Sequence, residues 1–365
     1  MAIEIVANRL DKTFFKYQEE LENKALEVLR SGWYILGPEV KAFEEEFAGY
    51  TGAKYCVGLA SGLDALWLAF KVLGIGKGDE VIVQANTYIA SVMGVTINGA
   101  TPVFVEPDEY FNIDVERLED LITPKTKAVL VVHLYGQASY MHKIVQLCKK
   151  YNLRLVEDCA QSHGACYEGK MTGTFGDIGC FSFYPSKNLG AYGDAGAIVT
   201  DNEEIAKAMR VYRNYGSEKR YHNMVVGANS RLDELQAGLL RVKLAHLEEL
   251  TEERRRLAEE YLKGIRNEKI ILPQKRDRCG HVWHQFVIRC ERRDELIKHM
   301  EQNGIGTIIH YPIPPHLSEA YEYLGFKEGD YPRTEEYAKT ILSLPMYNGM
   351  TKEELERVIR VLNEF

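Results

Sequence analysis

Between residues 54 and 200 short apolar runs alternate with longer amphipathic stretches, and this alternation constrains the fold more than any other feature of the chain. "KYCVGLA", "DEVIVQA", "TPVFVEP", "KAVLVVHL", "LRLVEDCA", "IGCFSFYP" and "GAIVT" have the length of strands. They are continuously apolar, the pattern of strands covered on both faces in a mostly parallel sheet. Between them lie the helix-length stretches "SGLDALWLAFKVLG", "TYIASVMGVTINGA", "NIDVERLEDLI" and "SYMHKIVQLCKKYN". Strand–helix alternation of this kind predicts a three-layer α/β domain.

Helices are expected ahead of this region at 18–30 and 39–50, with Gly37-Pro38 breaking the chain between them. After about residue 230 the pattern changes. "LDELQAGLLRVKLAHLEELTEERRRLAEEYLKGI" predicts a long charged helix able to bridge two domains. "GHVWHQFVIRC" reads as a strand, and "RRDELIKHMEQNG" and "TKEELERVIRVLNEF" read as helices. The expected division is a large α/β domain at 1–245, including the N-terminal helical segment, and a smaller α+β domain at 246–365. A chain of 365 residues suits two such units.

Composition narrows the function. A hydrophobic content of 45% with 27% charged residues describes a soluble globular protein. A net charge of −8 argues against nonspecific attraction to nucleic acid or an anionic membrane. No apolar run is long enough to span a bilayer, and the first residues lack a basic-then-apolar leader, so a cytoplasmic protein is expected. The 7 cysteines form no C-x-x-C pair and read as reduced thiols. Cys159 and Cys166 flank His163, but the spacing matches no common zinc pattern, and no metal is expected.

Ligands in open α/β sheets bind beyond the carboxyl ends of strands, and four strand exits here carry unusual residues. "ASGLDAL" turns from strand to helix through Ser61-Gly62, where free backbone N–H groups suit a phosphate; Ser61 fits a plain helix cap equally well. "LVEDCAQSHGA" ends an apolar strand on Glu157 and Asp158. A carboxylate buried there needs a cation, whereas one in a surface turn does not. "FSFYPSKNLGAYGDAG" places Lys187 between apolar strands and a glycine cluster; a desolvated lysine can lose its proton and attack a carbonyl. Ser182, on the strand before it, is placed to bond a phosphate. Tyr88 in "ANTYIAS" is either a platform for a flat ring or a core aromatic.

Taken in order, these are a phosphate turn, an aromatic, a strand-end Asp and a lysine. Pyridoxal phosphate needs all four: a phosphate cup, a ring platform, an acid to keep its pyridine nitrogen protonated, and a Schiff-base lysine. Lys187 is therefore expected to be that lysine, shuttling the proton during transamination.

The chain resembles the DegT/DnrJ/EryC1/StrS family of sugar aminotransferases over nearly its whole length. The segments that carry the resemblance are "SGWYILGPEVKAFEEEFA", "ASGLDAL", "GDEVIVQANTYIAS", "GATPVFVEPD", "VHLYGQ", "VEDCAQSHGA", "GDIGCFSFYPSKNLGAYGDAGAIVT", "RNYGS", "GANSRLDELQAGLL" and "HYPIPPH". The resemblance implies the type I fold of pyridoxal phosphate enzymes and homodimers whose active sites use both subunits. It implies that Lys187 carries the cofactor and that Asp158 partners the pyridine nitrogen. Gln161 matches a contact on the ring's oxygen side, and Tyr88 the stacking aromatic. Gly62, Leu63 and Ser182 match phosphate contacts, and Asn229 one supplied by the neighbouring subunit. Some relatives carry histidine at the lysine position and act as dehydratases; lysine here favours transamination.

Family members with the segment Ala160-Gln161-Ser162-His163-Gly164-Ala165 resemble enzymes acting on a sugar C3 ketone or a cyclitol ketone. With "SGWYILG", "NTYIA" and "VHLYGQ", the closest resemblance is to enzymes aminating dTDP-3-oxo-6-deoxyhexoses. His163 is expected to position or protonate the sugar near its carbonyl, or else to be a packed structural histidine. Tyr184, Lys219, Tyr221, His310 and Tyr311 are expected to line the sugar-nucleotide site, Lys219 toward the pyrophosphate unless it is a solvated loop residue. L-Glutamate is the implied donor and leaves as 2-oxoglutarate, converting the cofactor to pyridoxamine phosphate. The rival readings are a C4 aminotransferase for a UDP- or GDP-linked 4-keto sugar, an aminocyclitol aminotransferase, and a non-catalytic nucleotide-sugar sensor. A nicotinamide dehydrogenase is disfavoured, because no G-x-G-x-x-G follows the first strand.

Overall fold

The computed structural model describes residues 3–365. Helices α1 (Leu10–Lys16), α2 (Gln18–Ser31) and α3 (Pro38–Thr51) come first, and Pro38 opens α3 at the position where its missing N–H costs nothing. The alternating region follows as β1 (Tyr55–Leu59), α4 (Gly62–Val72), β2 (Glu80–Gln84), α5 (Ile89–Thr96), β3 (Thr101–Val105), β4 (Thr126–Val132), α6 (Met141–Tyr151) and β5 (Arg154–Asp158). A small hairpin, β6 (Cys166–Tyr167) and β7 (Lys170–Met171), precedes β8 (Ile178–Ser182), β9 (Gly196–Thr200) and α7 (Glu203–Tyr212). A short ribbon, β10 (Ser217–Lys219) and β11 (His222–Asn223), leads to α8 (Glu234–Ala245) and α9 (Leu247–Gly264). The chain ends with β12 (Cys279–Gly280), β13 (Phe286–Arg289), α10 (Arg293–Gln302), α11 (Pro332–Thr340), β14 (Ile341–Leu344) and α12 (Lys352–Glu364).

The seven strands of the main sheet lie in the order β1-β9-β8-β5-β4-β2-β3. β9 is antiparallel to both β1 and β8, and the remaining pairs are parallel, so β9 alone runs against the others. Continuous apolarity is explained by cover on both faces. Val57, Val81, Val83, Leu130 and Val156 pack with α4, α5 and α7. Cys56, Phe181, Ala197 and Val199 face α3 and α8, and Ile82, Val129 and Leu155 face α6. The three-layer α/β expectation is met, with one local difference. Residues 112–122 form two 3-10 turns, Val115–Arg117 and Glu119–Leu121, in place of a helix. The Asp114 carboxylate accepts the Glu116 N–H and starts the first of them.

The expected long helix breaks at His246, whose backbone (φ −104°, ψ 3°) leaves the helical region. Its ring stacks on Tyr17 at 4.0 Å between centroids. α8 stays on the large sheet, with Ala237 and Leu240 against β8 and β9, whereas Leu257, Ala258 and Tyr261 of α9 join a separate core with β13, β14, α10 and α12. We propose that the division of the chain into two units falls at this break, at 245/246. The first residues depart from that division: Ile5 bridges Ile305 and belongs to the C-terminal core.

One buried carboxylate ties the N-terminal helices to this frame. Glu234, 1% exposed, accepts the N–H groups of Gly37 at 2.7 Å, Glu39 at 2.8 Å and Val40 at 3.0 Å, placing its charge at the positive end of α3. Glu234→Ala strands these donors and should cost about 3 kcal/mol, seen as a lower urea midpoint at unchanged slope. A loss below about 1 kcal/mol would show that water replaces the carboxylate.

Candidate active site

The parallel strands deliver their carboxyl ends to one edge of the sheet, and a cavity of about 560 Å³ opens there. Gly62, Leu63, Tyr88, Asp158, Gln161, Ser182, Tyr184, Lys187, His310 and Tyr311 all line it. Ten residues spread over the chain thus converge as the sequence expects.

The phosphate end is built by α4. Ser61 caps the helix, its Oγ accepting the Asp64 N–H at 3.1 Å and its carbonyl accepting that of Ala65. The N–H groups of Gly62 and Leu63 have no carbonyl one turn back and remain as donors. Glycine is required at 62: an added Cβ would lie 2.5 Å from Ser182 Cβ. That close approach puts the Ser182 hydroxyl beside the helix N-terminus. A capped helix end with open N–H donors and a neighbouring hydroxyl therefore occupies this turn.

Asp158 ends β5 with its carboxylate buried, and burial pushes its pKa up. Against this, Oδ2 accepts the Ser91 hydroxyl at 2.8 Å and Oδ1 accepts the Ala160 N–H at 3.1 Å. The Ser91 hydroxyl is itself 2.7 Å from that of Thr87. Glu157, its neighbour, points to the opposite face and is satisfied there. It accepts the N–H groups of Gly173, Phe175 and Gly176 at 2.7–2.8 Å. His133 completes the set: its Nδ1 accepts the Ser139 N–H, so Nε2 carries the proton and donates to Glu157 at 2.9 Å. Glu157, His133 and Cys159 lie close enough to ligate a metal, but the carboxylate is already engaged by four donors.

Lys187 sits on a short loop between β8 and β9. The loop is pinched shut by the Ala191 N–H on the Phe183 carbonyl at 2.7 Å, with a turn from Tyr184 to Lys187 inside it. The glycine that follows is a steric necessity, since a Cβ at Gly190 would lie 2.3 Å from the Pro185 carbonyl oxygen. Asn188 pins the loop from outside, donating to the Val282 carbonyl at 2.9 Å and accepting from His284 Nδ1 at 3.0 Å. Burial pulls the Lys187 pKa down from 10.5 to about 8, opposed by the Asp158 carboxylate. The loop thus presents an amine that is partly neutral near physiological pH.

Tyr88, half exposed at the start of α5, faces Tyr311 at 4.9 Å between ring centroids. The Gln161 amide donates to the Tyr311 hydroxyl at 3.0 Å and its carbonyl accepts the Tyr135 N–H at 2.6 Å. His310 Nδ1 lies 2.8 Å from the Ser343 hydroxyl, and burial, then Lys187, lowers its pKa to about 4.

Four expected residues are not brought to the cavity. His163 is fully buried between Phe181 and Phe183, with both ring nitrogens unpartnered among the described residues, and it does not line the cavity. Burial and Lys187 lower its pKa to about 3. This corrects the sugar-contacting role: the turn after β5 sends the ring into the layer under α3. Lys219 and Tyr221 lie exposed on the ribbon and its tip, and Asn229 is an exposed residue bridged to Asn214. The sequence reading missed Ser91, Asn188, His284 and Gln285. Ser91 alone had a signal, as a small polar residue one turn into the helix that Tyr88 opens.

A lysine and a buried carboxylate thus face one cavity beside the open N–H donors of a helix end, an arrangement that fits pyridoxal phosphate. The chain belongs to the DegT/DnrJ/EryC1/StrS aminotransferase family, whose model matches residues 16–363. It is 50% identical over 351 residues to a dTDP-3-amino-3,6-dideoxy-α-D-galactopyranose transaminase of Aneurinibacillus thermoaerophilus, covering 96% of each chain. It is similar to the crystal structure of DesV from S. venezuelae in complex with a ketimine intermediate, with a TM-score of 0.97, 46% identity and coverage of 99% and 98%. It is also similar to the PLP form of a putative sugar aminotransferase, Spr1654, from Streptococcus pneumoniae, with a TM-score of 0.88, 28% identity and 95% coverage of each. The protein is an aminotransferase of the type I fold that uses pyridoxal phosphate.

The lowered pKa of Lys187 is directly testable. In cofactor-free protein, capture of an added aldehyde should rise with a midpoint near pH 8. Asp158→Asn removes the charge that favours the ammonium form, so the midpoint should fall further. A wild-type midpoint above 10 would contradict the burial of this amine.

Proposed function

We propose that this enzyme converts a dTDP-3-oxo-6-deoxyhexose to the dTDP-3-amino-3,6-dideoxyhexose, with L-glutamate as amino donor. The observation that carries the transamination chemistry is the convergence of Lys187 and Asp158 on one cavity. The dTDP-3-oxo substrate draws support from the relatives, among them the A. thermoaerophilus transaminase.

When bound, pyridoxal phosphate supplies an electron sink for the carbanion formed at the substrate carbon. The chain's own residues fit that group. Asp158, buried and short of a charge partner, would hold the protonated ring nitrogen, with Ser91 and the Ala160 N–H orienting its carboxylate. Gly62, Leu63 and Ser182 would hold the phosphate, and Tyr88 the ring face. Gln161, fixed by Tyr135 and Tyr311, would meet the ring's oxygen side. Lys187 Nζ takes the proton from the donor's α carbon and later delivers one to the sugar carbon. Its lowered pKa leaves a lone pair available for this. The donor leaves as 2-oxoglutarate before the keto sugar enters, so the scheme is ping-pong.

We propose further that two copies of the chain form a homodimer with shared sites. Tyr221 is 87% exposed and Val226 94%, and Asn229 follows them on the same segment. Asn229 would complete the neighbour's phosphate cup, and Lys219 and Tyr221 would reach its sugar-nucleotide. Tyr184, His310 and Tyr311 would contact the sugar from within the chain. A cytoplasmic location accords with free cysteines and with the absence of any helix long and apolar enough to cross a membrane among the described residues.

The test is a two-step absorbance titration. Glutamate should bleach the long-wavelength cofactor band. After its removal, a dTDP-3-oxo-6-deoxyhexose should restore the band and leave product aminated at C3. Restoration only by a UDP- or GDP-linked 4-keto sugar, or by a keto-inositol, would overturn the substrate assignment. No bleaching by glutamate would overturn the donor.

A further inference from the structure

On the far side of the lysine loop from the main cavity lies a smaller one of about 50 Å³. It is lined by residues 8–13, the loop itself, α8, α9 and Asn348. Besides Lys187, which lines both cavities, two buried cations line it, and neither has a carboxylate partner among the described residues. Lys243 is 7% exposed; its Nζ donates to the Gly190 carbonyl at 2.5 Å and lies over the Tyr192 ring at 5.3 Å. Arg254 is 5% exposed, and its guanidinium donates only to backbone carbonyls: Trp283 at 3.1 Å, His284 at 2.9 Å and Met346 at 3.3–3.4 Å. No Asp or Glu among the described residues lines the cavity. Arg9, also on its wall, is paired with Asp11, and Glu253 is turned to the Asn348 side chain and the Gly349 N–H.

Two cations removed from water beside a shared void, with no acidic side chain lining it among the described residues, are an unfavourable arrangement unless a counter-charge is supplied. We propose that this cavity binds one small monovalent anion, held between Lys243 and Arg254. Its volume suits a small ligand: a site of this size takes a few waters or one anion the size of chloride or formate. Burial, which lowers the Lys243 pKa to about 8 and that of Arg254 to about 10, is the cost such an anion would offset. The consequence is local. Lys243 holds the carbonyl of Gly190, where the lysine loop returns to the sheet, so an anion that keeps Lys243 charged steadies the loop presenting Lys187. This inference does not depend on which sugar the enzyme aminates.

The experiment uses the enzyme carrying its cofactor, at constant ionic strength, with gluconate as the anion too large to enter. Chloride and formate are titrated separately and thermal unfolding is followed. The expected result is a saturable rise for at least one of them, about 3 °C when the anion stands at about 100 times its Kd. Saturation by chloride alone marks a halide site, and saturation by formate as well marks a site for small carboxylates. Lys243→Met should abolish the saturable part. Because that variant also loses the bond to the Gly190 carbonyl, crystals of the wild type in bromide provide an independent reading: an anomalous peak is expected between Lys243 Nζ and the Arg254 guanidinium. Tm responses identical to gluconate, or no anomalous peak in the cavity, would overturn the proposal.

Discussion

Asp158 ends a strand in the middle of the sheet, where its carboxylate is buried at the cavity wall. One hydroxyl and one N–H reach it, and burial still pushes its pKa up. A negative charge in that position calls for a positive one across the cavity, and the rest of the site is arranged to hold one there. The parallel strands bring their carboxyl ends to this edge, so the helix N-terminus at Gly62, the ring of Tyr88 and the carboxylate all face one volume. β9 is the exception, and its reversal serves the site. A parallel partner for β8 would need a long crossover carrying the chain away from the edge. An antiparallel one allows a short loop, and Lys187 rides on it.

That loop shows how steric and polar constraints cooperate. Phe183 and Ala191 close its base, Gly190 lets the chain pass the Pro185 carbonyl, and Asn188 ties it to the segment before β13. The amine is therefore held in a partly dehydrated place by contacts that do not touch it. Its pKa falls because of where the loop sits, while Asp158 limits the fall. The same burial on the other side of the loop leaves Lys243 and Arg254 without counter-charge.

Much of this was legible in the sequence. Continuous apolar strands alternating with helices give the three-layer sheet, and polar residues at strand ends point to Lys187, Asp158, Ser182, Gly62 and Tyr88. The misses have physical causes. The 112–122 stretch has helical periodicity, yet local capping by Asp114 turns it into 3-10 turns. The long charged helix breaks at His246, where stacking on the distant Tyr17 competes with helix continuation. His163 lies in a motif full of chemistry, but its ring turns into an aromatic layer rather than the cavity.

The adjacent pair Glu157-Asp158 separates what each level decides. Sequence alone determined that a strand ends on two carboxylates and that a lysine and an anion turn lie at other strand ends. These are consequences of composition and period. Strand period by itself could not determine which carboxylate faces the ligand, because successive strand residues point to opposite faces and the period does not say which face is the cavity; only the family resemblance pointed to Asp158. Tertiary structure decided that. It sent Glu157 to three backbone N–H groups and His133, left Asp158 facing the cavity, and brought Ser91, Asn188 and His284 to support the site. Those pairings join residues far apart in the chain, and only the packing of the sheet against its helices brings them within hydrogen-bond reach.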